Sequence, residues 1–511
     1  MKSRQDNYGL IGIIGLCVAS ILVLWPLLRQ GFFITDDGDW MIIRLSAFYQ
    51  SIAEGQFPVR FLGRLYHNFG YPVSNFLYPG FMYVGSIIRA IFGFSYVDII
   101  KILLGISIAG SGTILYSALR KKYDILSSLG GAASFILSPY VAFDLYTRGS
   151  VGELFAFLPA SILLYALLAR LYWVVPAATA VLILSHNSLA LLFIAAFSIL
   201  SFSQVKPWTY IRGMILGVGM ATFFWLPALF ERRFVIFDQV SVADSFSYFV
   251  GFPNIYLLGV AVFAALAILV RTHKREIHVE KISAMIVLIA SVLALPISRV
   301  VWVMIPFLSS LMQFPYRFLS LSCMVGAIAV AYCMSQVPKG HKVILLVLIF
   351  GLLGYQIVYK QLSIAYVDRV EGYYSTNEGT TTVKNEYMPR WVQVIQTARA
   401  IKKVEVLSGD ATYFSGKETP QRIDGIIEAQ SESLVQINTV YYPGWGVAID
   451  GQLTTVDYKN PNGVMRIIVP TGRHRLEASF RETGFRLITD IVSFAFGIFY
   501  LIWVITLKKR S

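Results

Sequence analysis

Charged residues are scarce in this chain: they make up 14% of its 511 residues, whereas hydrophobic residues make up 56%. A water-soluble domain of this length cannot bury so much apolar surface, so the composition indicates a protein with many membrane spans. The formal net charge is +14. In a membrane protein such an excess of Lys and Arg is typical of cytoplasmic loops, and we therefore expect no nucleic-acid partner.

Cysteine is scarce as well. Cys17, Cys323 and Cys333 all lie in hydrophobic runs, and their positions show no paired spacing. This pattern excludes a disulfide framework and a cysteine-based metal site, and it favours small packing residues. The chain also lacks sequence repeats and low-complexity tracts.

Long apolar runs are abundant. A spanning helix needs roughly 20 mostly apolar residues, and the first such run is too long for a signal peptide and has no small-residue cleavage site, so it predicts an uncleaved span. We predict about twelve transmembrane helices, at 9–28, 99–119, 125–143, 152–169, 171–186, 188–205, 210–230, 254–270, 282–298, 317–335, 342–360 and 485–507.

The stretch 76–95 is apolar too, but the basic loops argue against its crossing the membrane. If it does not span, all the basic segments fall on the cytoplasmic side, together with both termini. Those segments are 1–4, 120–124, 271–281, 338–342 and 508–510. We therefore expect a multi-pass protein of the cell membrane in which 76–95 lies in the interface or re-enters.

The region 362–483 differs from the rest of the chain. Turn signals such as "SGD", "DG" and "NPNG" separate short runs in which apolar and polar residues alternate, which predicts antiparallel strands. We expect three parts: a transmembrane domain at 1–361 with its first outer loop at 29–75, an extracytoplasmic β-rich domain at 362–483, and a last helix with a basic tail at 484–511.

The unusual polar residues gather on the predicted outer face. Ion-coupled transporters more often carry carboxylates or histidines near the membrane midplane, and the predicted spans here have almost none. The outer residues are Asp36, Asp37, Asp39, Arg60, Arg64, His67, Asp144, Arg148, Glu153, His186, Asn187, Gln313 and Arg317. This distribution indicates an outer site for an amphiphilic substrate with a polar head.

The densest part of this set is "TDDGDWMIIR" at 35–44. An Asp before an apolar-periodic run is a helix-start signal, yet three carboxylates exceed what one cap needs. Clustered like charges also raise one pKa, which suits a general base or a divalent cation. Spacing alone leaves both roles open.

The other outer residues have structural readings as well. Arg148 and Glu153 in "YTRGSVGE" fit an ion pair or a phosphate contact. His186 and Asn187 in "LSHNS" fit a polar turn or a catalytic pair. Arg317 in "QFPYRF" fits an interfacial residue that reaches towards water or one that binds an anion.

Taken in order, the motifs resemble the multi-spanning GT-C glycosyltransferases, and among them the bacterial YfhO-like proteins and the group named "6-pyruvoyl-tetrahydropterin synthase-related", a name that implies no pterin chemistry here. The resemblance covers nearly the full length. It depends on "DDGDWMIIRLSAFYQSIAEGQFPVRF", "FGYPVSNFLYPGFMY", "LSPYVAFDLYTRGSVGE", "LSHNSLALLF", "QFPYRFL", "NEYMPRW" and "YYPGWGVAIDGQ".

The resemblance implies a hexosyl- or pentosyltransferase that moves a sugar from a polyprenyl-phosphate donor to a glycan, lipid or cell-envelope polymer. It also implies an acidic residue in the first outer loop that acts as the catalytic base. The matching position is Asp37, with Asp36 as the alternative. The group often has His at the positions of Asp36 and Trp40, so the acting carboxylate and a role for Mg or Mn bound by Asp36 and Asp37 stay open. Asp39 is then expected to cap the helix.

The resemblance also suggests substrate contacts. The donor phosphate is assigned to Arg148, Arg317, Arg64 and Glu153. Residues expected to line the substrate site are Tyr71, Asn75, Tyr78, Tyr146, His186, Asn187 and Gln313. Two other classes remain: a lipid or polysaccharide flippase, and a membrane-anchored glycan-binding protein in which Trp445 stacks on sugar.

Overall fold

The computed structural model describes residues 2–240, 245–271, 278–380 and 383–508. The basic stretches at 272–277 and 509–511, used above for topology, lie outside the described residues. Long helices make up most of the chain before residue 362, and a group of strands follows between 404 and 480.

Eighteen α-helices are described before residue 363. They are α1 (Lys2–Leu24), α2 (Gly38–Ala53), α3 (Gly80–Phe92), α4 (Tyr96–Gly105), α5 (Ser111–Leu119), α6 (Ile125–Ile136), α7 (Pro139–Phe143), α8 (Val151–Ala169), α9 (Val175–Ser185), α10 (Asn187–Ser201), α11 (Pro207–Met220), α12 (Thr222–Glu231), α13 (Ala261–Arg271), α14 (Val279–Ala294), α15 (Arg299–Met304), α16 (Pro306–Met312), α17 (Leu319–Ser335) and α18 (Lys339–Leu362). Two more follow: α19 (Glu371–Thr376) and α20 (Gly484–Lys508).

The protein is a polytopic helical membrane protein. Seven described helices are long and apolar enough to cross a membrane, and two pairs bent by 64° and 84° raise the number to nine. The other three predicted spans correspond to shorter helices, which are Tyr172–Ser185, Asn187–Ser201 and Ala261–Arg271. A helix of 11 to 15 residues rises only about 16–23 Å, less than the roughly 30 Å of hydrocarbon.

The stretch 76–95 contains α3, an apolar helix of 13 residues. At 1.5 Å per residue it rises about 20 Å, which is too short to cross the membrane by itself. Gly93 ends it in the left-handed conformation, with φ of +69°. In length α3 therefore resembles the three shorter helices above, and its position relative to the membrane stays a prediction.

The segment 143–153, which connects the predicted spans 125–143 and 152–169 and was expected to be a loop on the outer face, is largely helical. The span that begins at Ile125 continues through α7 and a wider helical turn to Arg148, and α8 begins at Val151. Only Gly149 and Ser150 separate the two helices. This correction matters because it fixes the Arg148 side chain on a buried helix end.

Residues 404–480 form two antiparallel sheets. Their strands are β3 (Val404–Ser408), β4 (Ala411–Thr419), β5 (Arg422–Ala429), β6 (Ser433–Val440), β7 (Trp445–Ile449), β8 (Gln452–Thr454), β9 (Val464–Val469) and β10 (Gly472–Phe480). One sheet has the order β4-β5-β10-β7-β8 and the other β3-β6-β9. The predicted β-rich domain is thereby confirmed.

The alternation of buried and exposed side chains explains why these segments form strands. Along β5 every second residue is buried, including Ile423 and Ile427, as expected for a strand with one apolar face. The turn between β7 and β8 uses Asp450 and Gly451, with φ of +51° and +82°, the two positive values that a tight hairpin turn requires.

A separate two-stranded sheet joins distant parts of the chain. Strand β1 (Phe32–Phe33) pairs antiparallel with β2 (Tyr366–Val367). This pairing brings the first outer loop against the segment that follows α18, and so it positions the start of α2.

Buried polar contacts attach the β domain to the helices. Both oxygens of the buried Glu231 carboxylate accept hydrogen bonds from Arg486, at 2.8 and 2.7 Å. Tyr442 and Asn75 donate to Glu231 Oε2 at 2.7 and 2.8 Å. These hydrogen bonds connect α12, α20, the first outer loop and the β domain through one buried carboxylate.

Trp445 belongs to the same core. Its side chain is 5% exposed and lies edge-on to Phe61, with ring centroids 5.7 Å apart. A buried ring offers no face to a sugar, so the structure contradicts the alternative in which Trp445 stacks on a glycan.

Candidate active site

Asp37 immediately precedes α2, and its backbone contacts the end of the helical stretch that runs from Ile125 to Arg148. Its backbone N–H donates to the carbonyl of Arg148 at 2.8 Å, and that of Asp36 donates to the carbonyl of Thr147 at 3.0 Å. The Asp37 side chain is 35% exposed, and its Oδ2 lies 3.6 Å from Nη2 of Arg148. The carboxylate therefore stays accessible beside a fixed cation.

The Asp37 carboxylate does not cap α2. Its side chain makes no capping hydrogen bond, and Thr35 Oγ1 accepts the Gly38 N–H instead, at 3.0 Å. The prediction that Asp39 caps the helix is wrong, because α2 already begins at Gly38 and the Asp39 carboxylate pairs with Arg369 and accepts a hydrogen bond from Tyr374 at 3.1 Å.

Gly149 allows this close approach of the two helix ends. Its φ is +65°, and a Cβ there would lie 2.1 Å from Thr35 Oγ1 and 2.9 Å from the Gly38 nitrogen. No larger residue fits without moving the loop. The glycine of "RGS" is therefore required for the contact between the two helix ends.

Behind Asp37 lies a buried ion cluster, which we call the Glu153 cluster: Arg148, Glu153 and Arg317. Nη1 of Arg148 and Nε of Arg317 both donate to Oε1 of Glu153, at 2.6 and 2.9 Å. The Glu153 side chain is 0% exposed. The carboxyl group of Asp144 is buried as well, and its Oδ1 lies 3.7 Å from Nη1 of Arg148. Arg148 is thus held by two buried acidic side chains next to Asp37.

Both arginines keep donors that the protein does not use. Nη1 of Arg317 donates to the Met312 carbonyl at 2.8 Å and to Oε1 of Gln313 at 3.0 Å. Among the described residues, however, Nη2 of Arg317 and Nε of Arg148 have no hydrogen-bond partner. Such donors on a fixed fork suit an anionic oxygen.

His186, Tyr78 and Asn187 frame the cluster. Nε2 of His186 lies 3.7 Å from Oε1 of Glu153, and Nδ1 accepts the Leu189 N–H at 3.3 Å. The Tyr78 ring lies 4.6 Å from the His186 ring. Asn187 donates to the carbonyl of Phe76 at 3.2 Å, which ties the stretch before α3 to this site.

Four predicted site residues have other partners. Tyr146 is buried and donates to the Val23 carbonyl, and Asn75 binds the Glu231 carboxylate. Arg64 donates to the carbonyls of Asn377, Ser375, Tyr374 and Ile43, to Oγ of Ser46 and to Oε1 of Gln50. Tyr71 accepts the Tyr387 N–H at 2.9 Å. These contacts hold the outer loop together.

Sequence reasoning missed two charged residues at the site. Arg44 is buried on α2, two helical turns after Asp37. Glu386 lies within "NEYMPRW", and its carboxyl group senses the charges of Arg44, Asp37 and Arg317. The signal for Arg44 was a basic residue inside an apolar-periodic run, and the signal for Glu386 was its place in a motif that received no role.

The acidic groups of the outer loops have shifted pKa values. Partial loss of hydration, followed by the charge of Asp37, raises the pKa of Asp36. Burial raises the pKa of Glu386, and Asp37 adds to the rise although Arg44 opposes it. Burial and the charges of Asp37 and Glu153 raise the pKa of Tyr78. The carboxyl groups of Asp36 and Glu386 therefore take up protons more readily than ordinary carboxyl groups.

A divalent cation would need more ligands than Asp36 and Asp37 supply. Within the described ranges, no group of three or more His, Cys, Asp or Glu side chains is arranged to hold a metal ion. Arg148 also lies against Asp37 on one side. The protein side chains here do not form a complete Mg or Mn site.

A cavity of about 430 Å³, lined mostly by polar and charged residues, lies where the outer loop meets the β domain. Its lining residues are Gln50, Arg64, Asn68, Ser375, Thr376, Glu378, Arg399, Lys403, Glu418, Thr419 and Pro420. Lys403 donates to the carbonyls of Asn68 and Asn438, at 2.5 and 3.1 Å. Burial and the neighbouring charge of Arg399 lower its pKa to about 7.

No protein-family model and no curated protein matches this chain. Solved structures do match over most of its length. The arabinofuranosyltransferase AftD from Mycobacteria has a TM-score of 0.48 and 16% identity, and the match covers 70% of this chain and 28% of that one. Two structures of the Archaeoglobus fulgidus oligosaccharyltransferase also match. One is the apo form, with a TM-score of 0.40, 12% identity and coverage of 73% and 56%.

The other contains an inhibitory peptide and a dolichol-phosphate, again with a TM-score of 0.40 and 12% identity, and with coverage of 74% and 56%. The chain thus spans between about a quarter and little more than half of the length of these proteins. All three identities are below 25%, so neither activity nor substrate carries over from them.

Proposed function

We propose that the protein is a membrane glycosyltransferase of the GT-C class, which moves a hexose or pentose from a polyprenyl-phosphate donor to an extracytoplasmic acceptor. The observation that carries the proposal is the half-exposed Asp37 carboxylate, 3.6 Å from Arg148 at the edge of the Glu153 cluster. A base beside unused cationic donors matches what glycosyl transfer from a phosphate requires.

The proposed reaction is a single displacement. The acceptor hydroxyl oxygen forms a bond to the anomeric carbon while its proton passes to the Asp37 carboxylate. The bond from that carbon to the phosphate oxygen breaks, and polyprenyl phosphate leaves with the electron pair. Nη2 of Arg317 and Nε of Arg148 would receive the charge that develops on the phosphate.

The proposal includes an orientation. The loop at 29–75 and the β domain at 362–483 face the extracytoplasmic side, and both termini face the cytoplasm, as the basic loops indicate. Donor lipid would reach the site from the bilayer, because Arg148 and Arg317 belong to apolar helices.

Purified full-length protein in nanodiscs tests the proposal. Undecaprenyl-phosphate hexose and undecaprenyl-phosphate pentose serve as donors, octyl glycosides serve as acceptors, and released polyprenyl phosphate and glycosylated acceptor are both measured. We expect transfer by the wild-type protein and at least a hundredfold loss in Asp37→Asn. Asp36→Asn tests the alternative base, and we expect it to keep most of the wild-type activity if Asp37 takes the proton.

Two results would contradict the proposal. Equal activity of Asp37→Asn and wild type would exclude Asp37 as the base. Movement of donor lipid between leaflets without any glycosylated acceptor would instead indicate a flippase.

A further inference from the structure

Two cavities adjoin where the first outer loop meets the β domain, and together we call them the outer groove. Their volumes are about 430 and 360 Å³, which is an ordinary size for a ligand site. They share four lining residues, which are Asn68, Arg399, Lys403 and Glu418. The proposed transfer reaction uses none of these residues.

Hydrogen bonds join the walls of the outer groove. The His67 N–H donates to the Glu378 carbonyl at 2.9 Å, and the Val440 N–H donates to the Phe69 carbonyl at 2.8 Å. These contacts connect the first outer loop with the segment before the β domain and with strand β6. The groove is therefore formed without a ligand, as ligand sites usually are.

The turn that lines both cavities has an unusual backbone. Tyr66, His67 and Asn68 are three successive non-glycine residues with positive φ, at +57°, +54° and +66°. This conformation is unfavourable for such residues, and it is retained mainly where surrounding contacts hold it, often at binding sites. Among the described residues, the side-chain amide of Asn68 has no hydrogen-bond partner, so its oxygen and its NH2 group are free to bind a ligand.

Lys403 is a cation of the outer groove that has no paired carboxylate. Its side chain is half-buried, and Nζ donates to the carbonyls of Asn68 and Asn438, at 2.5 and 3.1 Å. In the part of the chain that the structure describes, no carboxylate oxygen lies within 4.0 Å of this ammonium group. An ammonium group that has lost part of its hydration is stabilised by an anion.

Basic side chains outnumber acidic ones in the outer groove. The basic residues are Arg64, Arg399, Lys402 and Lys403, and the acidic residues are Glu378 and Glu418. Both carboxylates already have partners, since Glu378 Oε1 lies 3.4 Å from Arg399 Nη1 and Glu418 Oε1 accepts a hydrogen bond from Ser415 at 2.7 Å. The groove therefore keeps an excess of positive charge, which attracts anionic groups.

The uncharged polar residues of the outer groove suit a ligand with many hydroxyl groups. They include Gln50, Asn68, Ser375, Thr376 and Thr419. Amide and hydroxyl side chains can donate and accept hydrogen bonds, as the hydroxyl groups of sugars do.

The outer groove lies away from the proposed reaction centre. Gln50, which lines it, lies near the end of α2, whereas Asp37 immediately precedes that helix. At 1.5 Å per residue the two positions are about 20 Å apart along the helix axis. A ligand group held in the groove is therefore not the group that reacts at Asp37.

We therefore propose that the outer groove binds an acidic glycan, which is a chain of sugar units that carry carboxylate or phosphate groups. Lys403 and the guanidinium of Arg399 bind the acidic groups, and Asn68 with the neighbouring hydroxyl side chains binds the sugar hydroxyls. The inference concerns binding alone, so it does not depend on the proposed transfer reaction.

Calorimetric titration of the full-length protein in phosphatidylcholine nanodiscs tests the inference. The probes are a galacturonic acid tetrasaccharide, a phosphorylated mannose oligosaccharide and a neutral galactose tetrasaccharide. At about pH 6.5 Lys403, with a pKa of about 7, carries its charge, and about 0.15 M salt screens distant charges. We expect at least one acidic probe to bind at least about tenfold more tightly than the neutral probe, and the better of the two identifies the acidic group.

Two variants place the binding in the outer groove. Arg399→Gln and Lys403→Met should each weaken binding of that acidic probe about tenfold, because each removes a charged donor. Arg473→Gln is the matched control and should stay within about twofold of the wild type. Arg473 and Arg399 are both exposed, at 70% and 64%, and each lies 3.4 Å from a glutamate, but Arg473 is outside the groove. If Lys403→Met does not fold, Arg399→Gln decides, since an exposed ion pair contributes little to stability.

The inference would be overturned if neither acidic probe bound more tightly than the neutral one. Equal losses in Arg399→Gln and Arg473→Gln would overturn it as well, because they would show attraction by the overall positive charge of the protein. A wild-type protein that transfers no sugar would contradict only the proposed function, since the titration needs no donor lipid.

Discussion

Asp37 and Arg148 contact each other twice, once through the backbone and once through their side chains. The Asp37 N–H donates to the Arg148 carbonyl at 2.8 Å, and Nη2 of Arg148 lies 3.6 Å from Oδ2 of Asp37. The first contact fixes the distance between two helix ends, and the second depends on that distance. A displacement of the Asp37 backbone should therefore also change the distance between the Asp37 carboxylate and the Arg148 guanidinium.

Gly149→Ala tests this coupling. The new methyl group would collide with Thr35 Oγ1 at 2.1 Å, so the Asp37 backbone must move away from Arg148. We expect transfer to fall at least tenfold, because small displacements at a reacting centre reduce the rate strongly. Gly93→Ala is the control: its φ is similar at +69°, but nothing lies within 4 Å of the added carbon. Activity equal to that of Gly93→Ala would refute the coupling.

Glu153→Gln should destabilise the protein more than any surface charge change. It leaves the guanidiniums of Arg148 and Arg317 buried without their shared carboxylate, and breaking a buried ion pair costs about 3–5 kcal/mol. Thermal unfolding in detergent measures this loss. Glu428→Gln, which removes an exposed partner of Arg473, should change stability by less than about 0.5 kcal/mol. Similar losses in both variants would show that the ion pairs of the Glu153 cluster do not stabilise the folded protein.

Arg64→Lys should affect stability and not donor affinity. The Arg64 guanidinium donates hydrogen bonds to carbonyls of the first outer loop and of the segment 374–377. The single ammonium group of a lysine cannot donate to all of these carbonyls at once. We expect a loss of roughly 1–3 kcal/mol in thermal unfolding, with the donor KM unchanged. Arg317→Lys should instead raise the donor KM. The reverse pattern would restore Arg64 to the donor site.

Lys403 should make stability depend on pH. Its pKa falls from the ordinary 10.5 to about 7 in the folded protein, so unfolding takes up a proton between these values and stability rises with pH across that window. From pH 7 to pH 9 the wild type should gain roughly 2 kcal/mol relative to Lys403→Met. Lys402→Met, at the exposed neighbouring position, should follow the wild type. Parallel curves for wild type and Lys403→Met would disprove the shift.

Much of the architecture is predictable because membrane helices and antiparallel strands have strong periodicities. The apolar runs identify nearly every helix, and turn signals such as Asp450-Gly451 identify the β domain. Helix length is less predictable: 254–270 became the eleven-residue Ala261–Arg271, since apolar composition does not reveal where a helix bends or stops. The sequence did not predict that the helix continues to Arg148, because the polar and charged residues at 144–148 are typical of a loop.

The site is predictable only in part, because polar residues gain their roles from long-range contacts. Asp37 and Arg148 were identified as site residues, and the structure brings them together. Asp39 was expected to cap α2, but its partner Arg369 lies far away in the sequence. Glu386 received no role, because nothing in its local sequence shows that its loop returns to the first outer loop.

The pairing of β1 with β2 also determines the order in which the protein can assemble. Asp39 and its partner Tyr374 are 335 residues apart, and at about 5–20 residues per second a ribosome needs on the order of 20–70 s to make that stretch. During this time the early helices have entered the membrane, but the loop with Asp37 lacks its opposite wall. If the proposed transferase activity is correct, a nascent chain that ends before Tyr366 should be inactive, because the first outer loop then lacks its pairing strand.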